Sequence, residues 1–236
     1  MNTRPFYQTK IIDIIIESPT TKRFFIEYAL PVPFLAGQFV ILKFPGLNHT
    51  YDTRSYSISD IQYNSNVLEL CIVIKPDGAA TPLIFNYQIG DSVFASLPEG
   101  RFTLPTENLP ESFCFICTGT GVAPFRTMIK DLLFNKDYHL PVHLYFGCRT
   151  QKDILYYQEF KQLEKEFNNF KYTPVLSRED WSGAQGYIHL HYIEQFKNKP
   201  NCLFYLCGWT ESMKEARNNL KSIGYTRDDI KVEFYD

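Results

Sequence analysis

The apolar positions in the first half of the chain come in short runs, each cut off by turn residues. Lys10 to Glu17 is one run and Arg23 to Tyr28 a second; Pro31, Pro33 and Gly37 then break the chain before Gln38 to Phe44. Pro45-Gly46-Leu47-Asn48 reads as a turn, as does Asn64-Ser65-Asn66 ahead of Val67 to Lys75. Pro76-Asp77-Gly78 is a strong turn signal, since proline presets the backbone and glycine admits the left-handed region. With the segment around Arg54 and with Asp91 to Leu97, this predicts six short strands and little helix, the pattern of a small antiparallel barrel. The barrel ends near Leu97-Pro98-Glu99-Gly100-Arg101-Phe102. Pro105 to Glu111 is polar, proline-rich and aperiodic, so a boundary is expected there, with domains at 1–107 and 108–236.

The second half changes period. Phe113 to Cys117 is continuously apolar, as a strand buried on both faces would be. After Thr118-Gly119-Thr120-Gly121-Val122-Ala123-Pro124, the residues Phe125, Met128, Ile129, Leu132 and Leu133 recur at helical spacing. Val142 to Phe146, Lys171 to Leu176, Cys202 to Leu206 and Ile230 to Tyr235 read as strands, and Tyr156 to Phe167 and Glu211 to Ile223 as helices. Strands alternating with helices imply a parallel sheet covered on both sides. In such sheets ligands bind beyond the carboxyl ends of strands, near the point where the strand order reverses.

Composition narrows the function classes. The 236 residues are 44% hydrophobic, ample for real cores, and the net charge of −2 gives no basic footprint for nucleic acid. Aromatic content is high at 16%, which suits both ring stacking and ordinary cores. No apolar run approaches the ~18–20 residues that span a bilayer, and the N-terminus carries no apolar leader, so a cytoplasmic protein is expected. The cysteines Cys71, Cys114, Cys117, Cys148, Cys202 and Cys207 lie mostly in apolar runs and read as reduced buried thiols. Cys114 and Cys117 have C-x-x-C spacing, but three positions along a strand they face opposite sides. No metal is expected: His189 and His191 have no third ligand and read as surface histidines.

Candidate chemistry collects at turns. In Arg54-Ser55-Tyr56-Ser57-Ile58-Ser59, strand alternation puts Arg54, Tyr56 and Ile58 on one face and the serines on the other. A guanidinium beside a phenol ring suits a ligand with phosphate and a flat ring, though a polar strand with one core-facing tyrosine has the same pattern. At Gly78-Ala79-Ala80-Thr81-Pro82, small residues leave backbone N–H groups open to an anion, and Thr81 is placed to cap the turn that Pro82 starts. Gly119 and Gly121 clear space at a strand-to-helix turn for a diphosphate, or simply make the turn. Ser177-Arg178-Glu179 after one strand could grip a phosphate monoester or be a solvated loop, and Cys207-Gly208 ends another strand.

These pieces, in this order, resemble the ferredoxin–NADP reductase family over nearly the whole chain. Arg54-Ser55-Tyr56-Ser57 resembles its R-x-Y-S flavin motif, Gly78 to Thr81 its flavin-diphosphate turn, and Gly119 to Pro124 its G-T-G-x-A-P nicotinamide-side motif. Cys207-Gly208 resembles its C-G motif, and Val232-Glu233-Phe234-Tyr235 its carboxyl-terminal glutamate and ring-stacking aromatic. The resemblance implies an FAD-binding barrel followed by a Rossmann-like NAD(P)-binding domain. It implies that Arg54, Gly78, Ala80 and Thr81 hold the FAD diphosphate, that Ser55 borders it, that Tyr56 stacks on the flavin, and that Ser57 sits near the flavin N5. Thr118, Gly119, Gly121, Ala123, Pro124 and Gly208 take the nicotinamide dinucleotide; Cys207 and Glu233 border the nicotinamide C4; Tyr235 covers the flavin and yields to the nicotinamide. Trp209 stands where the family commonly has proline, Met213 comes one residue late, and Asp236 follows the aromatic.

The implied activity is hydride transfer from NAD(P)H to bound FAD and onward transfer of electrons, one at a time, to a separate protein acceptor such as ferredoxin, flavodoxin or an oxygenase component. NADPH is the favoured donor, because Ser177, Arg178 and Tyr187 resemble the family's 2′-phosphate pattern, although Trp181 and Gly183 resemble NADH-using relatives. Alternatives are a reductase of diffusible flavin and a non-catalytic dinucleotide-binding or electron-transfer subunit. No nucleic acid or membrane partner is expected, and a monomer is favoured.

Overall fold

The computed structural model describes residues 4–45, 51–62 and 65–235. The turn read at residues 46–48, Asn64 and the terminal Asp236 lie outside the described residues. The chain divides into two compact units, Met1–Leu104 with Ala123–Asp131, and Pro105–Val122 with Leu132–Asp236.

The first unit is a six-stranded antiparallel sheet in the order β4-β3-β6-β1-β2-β5. Its strands are β1 (Tyr7–Ser18), β2 (Thr21–Glu27), β3 (Phe39–Pro45), β4 (Tyr51–Ser57), β5 (Val67–Val73) and β6 (Ser92–Ala95). Register shifts at Ile11/Asp13 and Ile16/Ser18 kink β1, so that it pairs with β6 at one end and β2 along the rest. The sheet curls until Ile58 bridges Leu70 and the Ser59 N–H donates to the Glu69 carbonyl at 2.9 Å. Alternation fills the interior: Val40, Leu42 and Phe44 from β3 meet Leu68, Leu70 and Ile72 from β5 and Phe24 and Ile26 from β2.

The second unit is a six-stranded parallel sheet in the order β10-β9-β8-β7-β11-β12. The strands are β7 (Phe113–Thr118), β8 (Val142–Cys148), β9 (Phe170–Leu176), β10 (Ala184–Gln185), β11 (Leu203–Trp209) and β12 (Ile230–Tyr235). The order reverses between β7 and β11, so the carboxyl ends of these two strands flank the switch point. Both faces of β7 are buried. Cys114 and Ile116 pack with Tyr192 and Phe196 of α4 (His189–Phe196) and Met213 and Leu220 of α5 (Thr210–Ser222). Phe113 and Phe115 stack on the opposite face with Tyr205, while Phe160 of α3 (Tyr157–Glu166) meets Phe170 and Tyr172. The pair Cys114 and Cys117 is thus split between faces. No helix among the described residues is long and apolar enough to cross a membrane.

The hydrophobic pattern does not mark α4, an eight-residue helix with only Tyr192 and Phe196 buried in it. The helix that follows the glycine turn, α2 (Val122–Lys130), is the notable placement: residues 123–131 pack with the first unit. Its seat is Gly37, whose N–H donates to Thr127 Oγ1 at 3.0 Å. Gly37 has φ +95°, and a Cβ there would lie 2.1 Å from the Phe102 carbonyl oxygen and 2.2 Å from Met128 Cε. Gly37→Ala therefore combines backbone strain with a steric clash and is expected to cost on the order of 3 kcal/mol. Urea unfolding checks this, and an unchanged midpoint would contradict the seat.

Candidate functional site

Within the barrel, β4 pairs with β3 in the register Leu42 to Arg54 and Val40 to Tyr56. Cross-strand partners point the same way, so Arg54 and Tyr56 lie on the side of Val40 and Leu42. Tyr56 packs against the barrel core, with its ring edge-on to Phe44 at 6.5 Å. Its hydroxyl is buried and has no hydrogen-bond partner among the described residues. Burial pushes this phenol up to about 12, against a small opposing pull from Arg54. Arg54 is exposed; its Nη1 donates to the Thr53 carbonyl at 2.8 Å, and it makes no ion pair among the described residues. Ser55 is exposed, whereas Ser57, at the end of β4, is buried.

The turn after β5 leads into α1 (Thr81–Phe85). The Gly78 N–H donates to the Lys75 carbonyl at 2.8 Å. Thr81 does not cap the helix as the sequence suggested. The cap position is Ala80, and Thr81 is the first helical residue. Its hydroxyl accepts from the Lys75 N–H at 2.8 Å and donates to the Lys75 carbonyl at 3.0 Å, so the turn has already used it. The Tyr56 hydroxyl, without a partner among the described residues, the exposed Arg54 guanidinium and this small-residue turn fit a dinucleotide carrying a planar ring system.

In the second unit the switch point is built by two glycines. Gly121 lies so close to β11 that a Cβ would sit 2.2 Å from the Cys207 carbonyl oxygen. Gly208, at φ +139°, approaches Thr118 so closely that a Cβ would sit 2.4 Å from Thr118 Oγ1. The Trp209 N–H then donates to that same hydroxyl at 2.9 Å. The ends of β7 and β11 are thereby interlocked. Gly119, at φ +53°, has nothing within 4 Å of where a Cβ would be, so the turn shows bare backbone. That fits close approach of a diphosphate. Pro124 sits in the first turn of α2, where its missing N–H costs nothing, and its carbonyl accepts from Thr127 Oγ1 at 2.7 Å.

Parallel pairing of β11 with β12 sets Cys207 beside Glu233 and Trp209 beside Tyr235. The Cys207 thiol is fully buried. Burial pushes it well above its ordinary range, the Glu233 carboxylate pushes the same way, and a hydrogen bond with Tyr235 opposes them. The group is therefore a neutral thiol at physiological pH. Trp209 is 62% exposed on this rim, although the sequence pattern gave it no role.

The third strand end carries Ser177 and Arg178 after β9. The Ser177 hydroxyl donates to the Cys148 carbonyl at 3.1 Å, and the Arg178 N–H to the Arg149 carbonyl at 2.9 Å. The Arg178 guanidinium has no partner among the described residues. It lines a cavity of about 220 Å³ with Ser177, Glu179, Asp180, Gln185 and Gly186. Tyr187 is not part of that lining; it is 68% exposed and its ring stacks on His189 at 5.7 Å. Sequence reasoning passed over the two acidic neighbours, which were legible in Ser177-Arg178-Glu179-Asp180. His189 and His191 point to different partners, Glu215 at 3.4 Å and the Gln185 carbonyl at 2.8 Å.

Residues 8–104 match the oxidoreductase FAD-binding domain model and residues 115–218 the oxidoreductase NAD-binding domain model. The chain is 30% identical to the phenol hydroxylase P5 protein of Acinetobacter pittii (strain PHEA-2), aligning over 96% of its own length and 65% of the relative's. It is 30% identical to the reductase component DmpP of phenol 2-monooxygenase from Pseudomonas sp. (strain CF600), over 97% and 65%. Among solved structures, the Amycolatopsis cytochrome P450 reductase GcoB superposes with a TM-score of 0.87 at 26% identity, covering 98% of this chain and 71% of that one. A ferredoxin NADP+ reductase from Neisseria gonorrhoeae with bound FAD and NADP shares the fold, with a TM-score of 0.81 at 23% identity over 97% and 98%. The chain thus spans 65% of the length of the two curated relatives.

Of the six thiols, five are buried and only Cys148 is partly exposed. A thiol-specific reagent at pH 8 should modify the native protein slowly and at Cys148 first. Rapid labelling of Cys207, read by peptide mapping, would contradict its burial and raised pKa.

Proposed function

The chain belongs to the ferredoxin–NADP reductase family, with an oxidoreductase FAD-binding domain followed by an oxidoreductase NAD-binding domain, and on that premise we propose that it is an NAD(P)H-dependent flavoprotein reductase serving a separate protein acceptor. We assign flavin binding to residues 1–107 and dinucleotide binding to 108–236, in keeping with the two matched stretches. The observation that carries the reading is the buried Tyr56 hydroxyl, without a hydrogen-bond partner among the described residues, with the exposed Arg54 guanidinium two positions away on β4. A buried hydroxyl left without a partner is costly, and an exposed guanidinium on the same strand is apt for a ligand that carries a phosphate as well as a ring.

FAD, when bound, takes up a hydride equivalent from the nicotinamide and releases the electrons onward. The chain's own residues supply binding and orientation. Arg54 counters the diphosphate charge and Tyr56 lies against the flavin ring. Ser57, buried at the end of β4, holds a hydroxyl near the reacting nitrogen. In the second unit, the bare backbone at Gly119 receives the dinucleotide phosphates, and Gly121 lets the turn sit close against β11. Cys207 is a neutral thiol at the switch point, kept protonated by burial and by Glu233. Tyr235 covers the flavin and yields its place to the nicotinamide.

Two features of the donor rim weigh toward NADH, against the expectation drawn from Ser177, Arg178 and Tyr187. Glu179 and Asp180 share the Arg178 cavity, and their charges oppose a 2′-phosphate, which carries about −1.5 to −2 at neutral pH. Tyr187 is engaged with His189. The acceptor reading draws on relatives described as a phenol 2-monooxygenase reductase component and an anthranilate 1,2-dioxygenase electron transfer component. An oxygenase component is thus the acceptor class to try first.

An anaerobic titration of the FAD-loaded protein tests this. NADH should bleach the visible flavin band faster than NADPH. Arg178→Ala should then widen the preference for NADH by about tenfold, the loss of one charge-assisted contact worth ~1.4 kcal/mol. Faster bleaching by NADPH would overturn the NADH preference and the weight given to Glu179 and Asp180, and bleaching by neither would end the reductase reading.

Ser57→Ala should keep its FAD but be reduced roughly 10²-fold more slowly, the scale of a misplaced reacting pair. Unchanged bleaching would remove Ser57 from the mechanism.

A further inference from the structure

The barrel unit holds a buried ion cluster that the proposed mechanism does not use. Arg126 of α2 is 5% exposed and Glu69 of β5 is 4% exposed. Arg126 Nη1 donates to the Ser59 carbonyl at 2.7 Å and to Glu69 Oε1 at 3.2 Å, and lies 3.4 Å from Asp60 Oδ1. Lys130, one helical turn on, reaches Asp60 Oδ1 at 2.6 Å. Arg23 closes the other side of Glu69 at 3.5 Å and continues to Glu17 at 2.8 Å. Three cations thus face three carboxylates. Burial pushes the Asp60 carboxyl up, but Arg126 and Lys130 outweigh it and hold the group below its ordinary value.

Apolar side chains would hold a helix on a barrel at lower desolvation cost. What they would not supply is register, since apolar contacts are non-directional and tolerate sliding. A guanidinium bridging a carbonyl and two carboxylates does not slide, because any shift leaves buried charges unpaired. Register matters here for a reason visible in the chain. Ser59 follows Ser57 by two residues, and Arg126 follows Ala123 and Pro124 by three and two. One buried side chain therefore connects the flavin-side strand end to the start of the helix that the glycine turn feeds.

We propose that Arg126 is a positioning residue: by bridging Ser59, Glu69 and Asp60 it fixes the register of α2 on the barrel, and so the place of Ala123 and Pro124 relative to Ser57, for hydride transfer. The proposal rests on the reductase reading for its last clause only.

The test uses the FAD-loaded chain and the double variant Arg126→Met/Glu69→Gln. It removes one charge of each sign and leaves the Arg23–Glu17 and Lys130–Asp60 pairs closed. Flavin reduction by the nicotinamide dinucleotide in a single turnover should slow at least about tenfold, since a shift of about 1 Å can cost on the order of 100-fold. FAD affinity and reduction of the flavin by dithionite should stay within about twofold, and amide exchange in residues 122–130 should rise selectively. Arg126→Lys, which keeps the charge but not the fork, should fall between. Tyr28→Phe, which removes the buried hydrogen bond from the Tyr28 hydroxyl to the Ser96 carbonyl, should lower the melting midpoint without slowing reduction. Unchanged exchange in α2 overturns the proposal whatever the activity. Faster exchange with an unchanged reduction rate, or a loss of rate that merely follows loss of FAD, also overturns it and leaves a structural pair. A wild-type protein that neither donor bleaches defeats the reductase reading instead, and exchange in α2 then decides the register on its own.

Discussion

A guanidinium buried to 5% exposure constrains the rest of this chain. Arg126 cannot leave its cage of Ser59, Asp60 and Glu69 without leaving charges unpaired in a dry environment. Helix α2 is therefore bound to the barrel unit, although it follows the first strand of the parallel sheet. The chain must leave β7 through a tight glycine turn, enter a helix that packs with the other unit, and return at Leu132. The return runs through a π-helical stretch at Asp131–Asn135, a wider turn that lets the chain change partners without ending the helix.

The second constraint is steric. Where β7 and β11 end, the backbones come closer than any side chain allows, and Gly121 and Gly208 meet the opposite strand's carbonyl and hydroxyl groups. That closeness leaves Cys207 fully buried at the rim and ties Trp209 to Thr118. The thiol's raised pKa follows from the same packing, since a group with no access to water and a carboxylate beside it keeps its proton. Geometry, charge state and the exposed Trp209 ring at the switch point are thus three results of one close approach.

The donor rim shows how a motif and its surroundings can point different ways. Arg178 alone suggests a phosphate site. With Glu179 and Asp180 lining the same cavity, the local charge becomes acidic, and Tyr187 spends its ring on His189. Thr81 makes the same point. Its position suggested a helix cap, but a hydroxyl that can bond the Lys75 backbone on both sides is better satisfied there.

Much of the architecture was legible in the sequence because periodicity is a local property. The short run Gln38 to Phe44, bounded by Gly37 and Pro45, and the unbroken apolar run Phe113 to Cys117 each mark a strand without any knowledge of neighbours. The glycines of the turns were legible too, since few other residues tolerate a positive φ. Helix α4 was not, because its two buried rings give too little period over eight residues. Glu69 and Arg126 were each visible as a lone charge in an apolar run, but nothing in the sequence linked two residues 57 positions apart. Only the tertiary structure could do so, because the reason for a buried charge is its partner, and partners across a fold are set by packing rather than by spacing along the chain.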